Sequence, residues 1–367
     1  MGERILVTGG AGFVGSSLAL ALKRTREDSE VIALDNLKRR GSELALPRLR
    51  DGGVLVCHGD IRPPGDIEAA GPIDWLIECS AEPSVQAGYE GDNRYLIHTN
   101  LLGTIHCLDA ARRFDAGVIF LSTSRVYPIA PLRSLPLETR KQRFELPAEA
   151  SGAGWSCHGI SPEFPMAGSR SLYGATKLCS EHLVEEYVDM YGLTAMIDRC
   201  GVLAGPWQMG KVDQGFFTLW AARHCLGGPL NYRGFGGEGH QVRDVLHVDD
   251  LFDFVDLQMR DPDSHRGRLH SIGGGPENSV SLRELTDLCE KATDRKLEIE
   301  AVPDTHPSDI PYYVADNRQA TESTGWAPRR SLDTLVDDIV TWIRQHRSTL
   351  APLLSPESIG SAAEGRS

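Results

Sequence analysis

Apolar and polar positions over the first 125 residues repeat one motif: short apolar runs at 4–8, 31–34, 54–56, 75–77 and 118–121 alternate with helical stretches such as 17–22 and 101–113. Runs this short that lack a polar face predict strands buried on both sides, and the segments between them predict crossover helices. Such alternation specifies a parallel, doubly wound α/β sheet of Rossmann type, with ligands at the carboxyl ends of its strands. A further strand is predicted at 195–199. Two helical patterns at 282–292 and 332–343 flank a strand at 297–302 and predict a smaller α/β lobe. The expected division is a sheet domain over 1–200, with 245–272 returning to it, and a second lobe over 201–244 and 273–350. The stretch 128–170 is long, polar and rich in proline and glycine, which predicts a lid-like insert over the strand ends. Residues 351–367 are small, polar and aperiodic, and predict a disordered tail.

Chemistry enters at the strand ends. After the first strand comes Gly9-Gly10-Ala11-Gly12-Phe13-Val14-Gly15 and then a helix. A strand, a glycine turn and a helix N-terminus make a cradle for a pyrophosphate, because the glycines let backbone N–H groups approach and the helix dipole favours an anion. Asp35 ends the second strand, twenty residues past Gly15. A carboxylate there accepts from both ribose hydroxyls and repels a 2′-phosphate, which predicts NAD rather than NADP. The run Lys38-Arg39-Arg40 just beyond is expected to be a solvated loop, with Arg40 near the cofactor phosphates. Asp60, Ser80 and Thr123 also fall at strand ends, although capping is the ordinary fate of such residues.

Ser171-Leu172-Tyr173-Gly174-Ala175-Thr176-Lys177 opens a helical pattern that runs to about residue 190. Tyr173 and Lys177 lie four apart, on one helical face, so an ammonium is expected within reach of the phenol. A nearby cation favours phenolate and would let Tyr173 take a proton from a hydroxyl. Arg243 sits beside a predicted strand rather than on a polar helix face. A desolvated anion contact suits it, as does a structural pairing with Asp244 or Asp249.

Composition narrows the partners. A formal charge of −13 over 367 residues argues against a nucleic-acid partner. No apolar run approaches a membrane span and no leader pattern is visible, so the expected address is the cytoplasm. The eight cysteines form no CxxC pair, which predicts buried thiols and no metal site.

Together, the GxxGxxG turn, Asp35, Gly59-Asp60-Ile61, Asn100, Ser122-Thr123, the YxxxK and Gln241-Val242-Arg243-Asp244 resemble the extended short-chain dehydrogenase/reductase superfamily. Within it, 121–127, the insert with Arg143-Phe144-Glu145-Leu146, 170–177 and Gly205-Pro206-Trp207-Gln208 are similar to the CDP-paratose (CDP-tyvelose) 2-epimerases. The resemblance implies an NAD-dependent epimerase of a nucleoside diphosphate sugar, with a CDP-sugar favoured and C2 the inverted carbon; the alternative is another NAD-dependent nucleotide-sugar enzyme, a UDP-sugar 4-epimerase or a net dehydrogenase or reductase. It makes Thr123, Tyr173 and Lys177 catalytic. The cofactor set would be Gly9, Gly12, Phe13, Val14, Gly15, Asp35, Asn36, Asp60, Ile61, Ser80, Ala81 and Asn100, with Tyr173 and Lys177. Substrate would meet Ser84, Ser124, Arg125, Gln214, Tyr232 and Arg243, the last on the diphosphate. A homodimer is implied, through helices at 100–113 and 176–191. The related 4,6-dehydratases carry Asp-Glu after the catalytic threonine, where this chain has Ser124 and Arg125, so dehydration is not expected.

Overall fold

The computed structural model describes residues 2–89, 92–210 and 214–355. Seven parallel strands form the main sheet, in the order Leu269–Ile272, Ala195–Cys200, Gly117–Thr123, Trp75–Glu78, Arg4–Thr8, Glu30–Asp35 and Leu55–His58. Alternate side chains of one strand enter different cores, as the pleat requires. Ile5, Val7 and Ile119 pack with Leu18 and Leu22 of helix Phe13–Thr25 and Phe254 of helix Val248–Arg260. Leu6, Val118 and Phe120 pack on the other side with Leu108 of helix Gly103–Phe114 and Val184 of helix Leu172–Tyr191. Both faces are therefore covered, which is why the strands read as unbroken apolar runs. The chain turns in opposite directions from Arg4–Thr8 and Trp75–Glu78, so a crevice opens at the carboxyl ends of these neighbours.

The second lobe is built on a smaller sheet of Val202–Ala204, Val242–His247, Ser279–Ser281 and Tyr312–Tyr313. Beside it, Leu230–Arg233 pairs in parallel with Ile299–Val302. The helices Phe216–Leu226, Leu282–Thr293 and Leu332–Gln345 share one core, with Phe217, Leu285, Leu335 and Ile339 at its centre.

Two expectations need correction. The insert contains the hairpins Glu138–Arg140 with Arg143–Glu145 and Trp155–Ser156 with Gly159–Ile160, and it lies against the second lobe instead of over the crevice. Phe144 N–H donates to the His240 carbonyl at 2.8 Å and Ile160 N–H to the Val314 carbonyl at 2.7 Å. Leu135, Leu146, Ile160 and Phe164 share a core with Val242, Ile310 and Tyr313. Burying these four side chains outweighs any advantage of leaving the segment free. The second correction concerns the tail. Helix Arg347–Leu354 buries Leu350 and Leu354 in the second core, so the expected irregular stretch does not begin at 351; residues 356–367 lie outside the described residues.

One buried acid makes the sheet sensitive to pH. Asp198 in strand Ala195–Cys200 accepts from Gln258 Nε2 at 2.8 Å, while its Oδ2 and Gln258 Oε1 are buried acceptors without a partner among the described residues. Burial pushes the Asp198 carboxyl up to about 7, so the folded chain holds a proton that the unfolded chain releases. Between about pH 4 and that value, stability therefore falls as pH rises, by at most about 1.4 kcal/mol per unit. Asp198→Asn supplies a permanent donor. Its denaturant midpoint is expected to lose this slope and to exceed that of the native chain above neutrality; equal slopes in the two proteins would contradict the assignment.

Candidate active site

Two joined cavities occupy the crevice. The first, of about 620 Å³, runs along Gly9, Gly12, Phe13, Val14, Gly15, Asp35, Asn36, Asp60, Ile61, Ser80 and Ala81. A Cβ at Gly15 would stand 2.2 Å from the Gly9 carbonyl oxygen, so only glycine lets the helix start this close to the turn. Asp35 Oδ2 accepts from Ala11 N–H at 3.0 Å and Oδ1 from Leu37 N–H at 2.8 Å, which fixes the carboxylate. Asn36 Nδ2 donates to Asp60 Oδ2 at 2.8 Å. Burial raises the Asp60 carboxyl, but hydrogen bonds from Arg62 and Asn36 outweigh it and hold the group at about 2.

Asn100 does not reach this cavity. It is buried behind the loop after strand Trp75–Glu78, where its side chain accepts from Glu82 N–H at 2.7 Å and donates to the Glu82 carbonyl at 3.1 Å. Its place is to brace Ser80 and Ala81 from behind. Lys38 and Arg40 are exposed, as expected of a solvated loop, and the 38–40 run also lines this cavity. Lys38 Nζ lies 3.2 Å above the Tyr95 ring, Arg39 donates to Gln214 Oε1 and to the Met209 carbonyl, and Arg40 Nη2 reaches the Pro352 carbonyl at 3.2 Å. These arginines tie the sheet domain to the second lobe around the cavity, where Leu353 and Leu354 complete the wall. The spacing Leu350, Leu353, Leu354 was the sequence signal for that wall.

The second cavity, of about 480 Å³, shares Phe13, Val14, Cys79, Ser80, Ala81, Gln208 and Gln214 with the first. It holds Thr123, Ser124, Arg125, Tyr173, Lys177 and Arg243, brought together from two strand ends and one helix. Ser171 caps that helix by accepting from Gly174 N–H at 3.1 Å. Burial raises the Tyr173 phenol, the Thr123 hydroxyl and Arg125 guanidinium oppose it, and the net result is about 12. Lys177 is almost wholly buried, and its Nζ lies 3.8 Å from the centre of the Phe120 ring. Burial lowers its pKa, with Glu78 and Glu181 opposing.

Arg243 pairs with neither Asp244 nor Asp249. Its Nη2 meets Asp309 Oδ1 at 3.0 Å and the Ile310 carbonyl at 2.7 Å, and burial pulls it down to about 10. Asp309 is the one carboxylate among the described residues lining this cavity.

Two expected substrate residues face elsewhere. Tyr232 alternates with Asn231 and Arg233 along strand Leu230–Arg233, and the pleat turns those two into the cavity and Tyr232 away. Its ring stacks on Trp220 and its hydroxyl meets Thr286 Oγ1 at 2.9 Å. Ser84 is buried, its Oγ accepting from Gln86 N–H at 3.2 Å, and the neighbouring Val85 and Gln86 line the cavity instead.

Residues 5–273 match the NAD dependent epimerase/dehydratase family. The chain belongs to that family. The cradle a Cβ at Gly15 would fill, the fixed Asp35 carboxylate and the continuity of the two cavities fit the dinucleotide on which its members depend. Among curated relatives, CDP-paratose 2-epimerase of Salmonella typhi is 27% identical over 353 residues, covering 92% of this chain and 98% of that protein. dTDP-glucose 4,6-dehydratase of Mycobacterium tuberculosis is 30% identical over 361 residues, covering 95% and 96%. The structure of UDP-glucuronic acid 4-epimerase from Bacillus cereus, in complex with UDP-glucuronic acid and NAD, superposes with a TM-score of 0.76 at 23% identity over 93% of this chain and 99% of that one, a likeness of fold. The chain is thus an enzyme of a family that works on nucleotide sugars. No helix among the described residues is long and apolar enough to cross a membrane, and no cluster of metal-ligating side chains occurs among them.

Proposed function

We propose that this enzyme epimerises a nucleoside diphosphate sugar, with C2 of a CDP-sugar as the favoured reaction. The observation that carries epimerisation over dehydration is the lining around Tyr173. Elimination of water needs an acid and a base beside the sugar, and here Ser124 and Arg125 follow Thr123, while Asp309, the carboxylate among the described residues lining this cavity, is held by Arg243. The likeness to CDP-paratose 2-epimerase supports the finer choice of substrate.

NAD, when bound, supplies the hydride acceptor and donor. Tyr173 takes the proton of the sugar hydroxyl as the carbon loses hydride, and gives it back when hydride returns to the other face, so no net redox change occurs. Thr123 holds the same oxygen, Lys177 the nicotinamide ribose, and Arg243 the diphosphate, with Gln214, Asn231 and Arg233 along the nucleotide. The proposal includes a cytoplasmic address. It also includes a homodimer through helices Gly103–Phe114 and Leu172–Tyr191, near which Leu102, Met190 and Tyr191 are exposed.

The test is incubation with CDP-tyvelose, CDP-paratose and CDP-glucose under continuous absorbance. An epimeric product should form without accumulation of reduced nicotinamide. Reduced nicotinamide rising mole for mole with product would mark a net dehydrogenase, and loss of water a dehydratase.

A further inference from the structure

The positive charge expected beside Tyr173 was that of Lys177, yet the ammonium of this lysine sits against the Phe120 ring, with Glu78 and Glu181 as its charged neighbours. A second cation lines the same cavity as the phenol. Arg125 lies in the turn that follows strand Gly117–Thr123, and its backbone N–H donates to Thr123 Oγ1 at 3.2 Å. That bond uses a lone pair of the threonine hydroxyl and leaves its proton to be donated. The same turn is pressed against the helix that carries Tyr173: a Cβ at Gly174 would stand 2.1 Å from the Arg125 carbonyl oxygen. Only glycine permits that approach, so turn and helix hold Arg125, Thr123 and Tyr173 in one fixed relation.

The guanidinium of Arg125 lines the cavity with the phenol, and its Nη1 donates to the Ser308 carbonyl at 3.3 Å. The nearest carboxylate, Asp309, is in a direct pair with Arg243. Among the described residues lining the cavity, two buried arginines thus share one acid, so its charge does not match theirs. We propose that Arg125 is a positioning residue that supplies the positive charge facing the Tyr173 phenol and so favours its phenolate. The proposal rests on the reading of Tyr173 as the base. The groups that face the phenol are Thr123 and Arg125 from the strand end, Glu82 from the loop after Trp75–Glu78 and Cys200 from the neighbouring strand, while Lys177 of its own helix lines the same cavity with its ammonium on Phe120; Arg125 in turn faces Asp309 and Arg243.

The sign follows from charge. A cation stabilises the deprotonated phenol, so removing it moves the ionisation to higher pH. The variants are Arg125→Met and Arg125→Lys, with Tyr173→Phe as the control. In the holoenzyme, Arg125→Met is expected to move the lower limb of the kcat profile up by about one pH unit, which is about tenfold in rate below the limb, with KM nearly unchanged. Arg125→Lys should keep the limb near its native position. An absorbance titration of phenol ionisation, taken as the difference from Tyr173→Phe, should show the same upward shift without turnover. An unmoved limb with a raised KM would make Arg125 a substrate grip and overturn the proposal. So would Arg125→Lys losing stability and rate together, as a structural residue would. Full activity in Tyr173→Phe would instead remove the reading beneath it, whereas an inactive Tyr173→Phe with an unmoved limb in Arg125→Met removes this proposal alone.

Discussion

Tyr173→Phe is expected to lower turnover by about a thousandfold, with the melting curve and the bound cofactor unchanged. The phenol is the hydroxyl-bearing group that Thr123 and Arg125 both address, and its ring is buried on the helix it begins. Deleting one oxygen keeps the packing of that ring and removes the proton acceptor. Burial raises the phenol and outweighs Thr123 and Arg125, which leaves it at about 12. Its use therefore depends on neighbours that favour the charged form, and loss of the oxygen is not made good by Lys177, whose ammonium is turned to Phe120. Single-turnover kinetics on the favoured sugar checks this. A variant within tenfold of the native rate would remove Tyr173 from the reaction.

Glu181→Ala is the second large effect, and it falls on stability. Glu181 lies on the Tyr173 helix and receives the Arg199 guanidinium as a fork, Nη2 to Oε2 at 2.6 Å and Nε to Oε1 and Oε2 at 3.0 and 3.1 Å, together with the Ser122 hydroxyl. Both side chains are almost fully buried, at 1% and 7% exposure, so neither can turn to water when its partner is lost. Removing the acid leaves Arg199 unpaired at an expected loss of roughly 3–5 kcal/mol. Removing both charges, as Glu181→Ala with Arg199→Met, should recover much of it, because the desolvation of the arginine goes too. Denaturant midpoints of the three proteins decide the matter; a single variant within about 1 kcal/mol of native would show that the pair does not hold strand to helix.

How much of this was legible in the sequence depends on the range of the contact. The turn Gly9 to Gly15, Asp35 and the strands around them are local signals: each follows from apolar run, glycine spacing and strand end, and the structure brings them to one cavity. Thr123, Tyr173 and Arg243 come from distant parts of the chain, and their convergence followed from the resemblance, with strand ends as the physical hint. What misled was direction. The resemblance put Tyr232 against the substrate, yet the register of its strand brings Asn231 and Arg233 to the cavity. Lys177 shares a helical face with Tyr173, but a long flexible side chain goes where acids and a ring receive it, and Glu78 and Phe120 are invisible to spacing. Likewise the insert at 128–170 carried prolines and glycines that suggested a structureless stretch and aromatic and charged residues that suggested a lid, while its scattered Leu135, Leu146, Ile160 and Phe164 found a core in the second lobe.

The measurement that reaches the central claim most directly is the fate of deuterium placed at the inverted carbon of the sugar, followed through turnover in ordinary water and, for unlabelled substrate, in deuterated water. Hydride that leaves and returns within one closed site should bring the label back to the same carbon of the epimer, with no solvent deuterium entering there. Washing out of the label, or solvent deuterium at that carbon, would mean that the carbon exchanges its hydrogen as a proton, and the account built on Tyr173 and the dinucleotide cradle would be wrong.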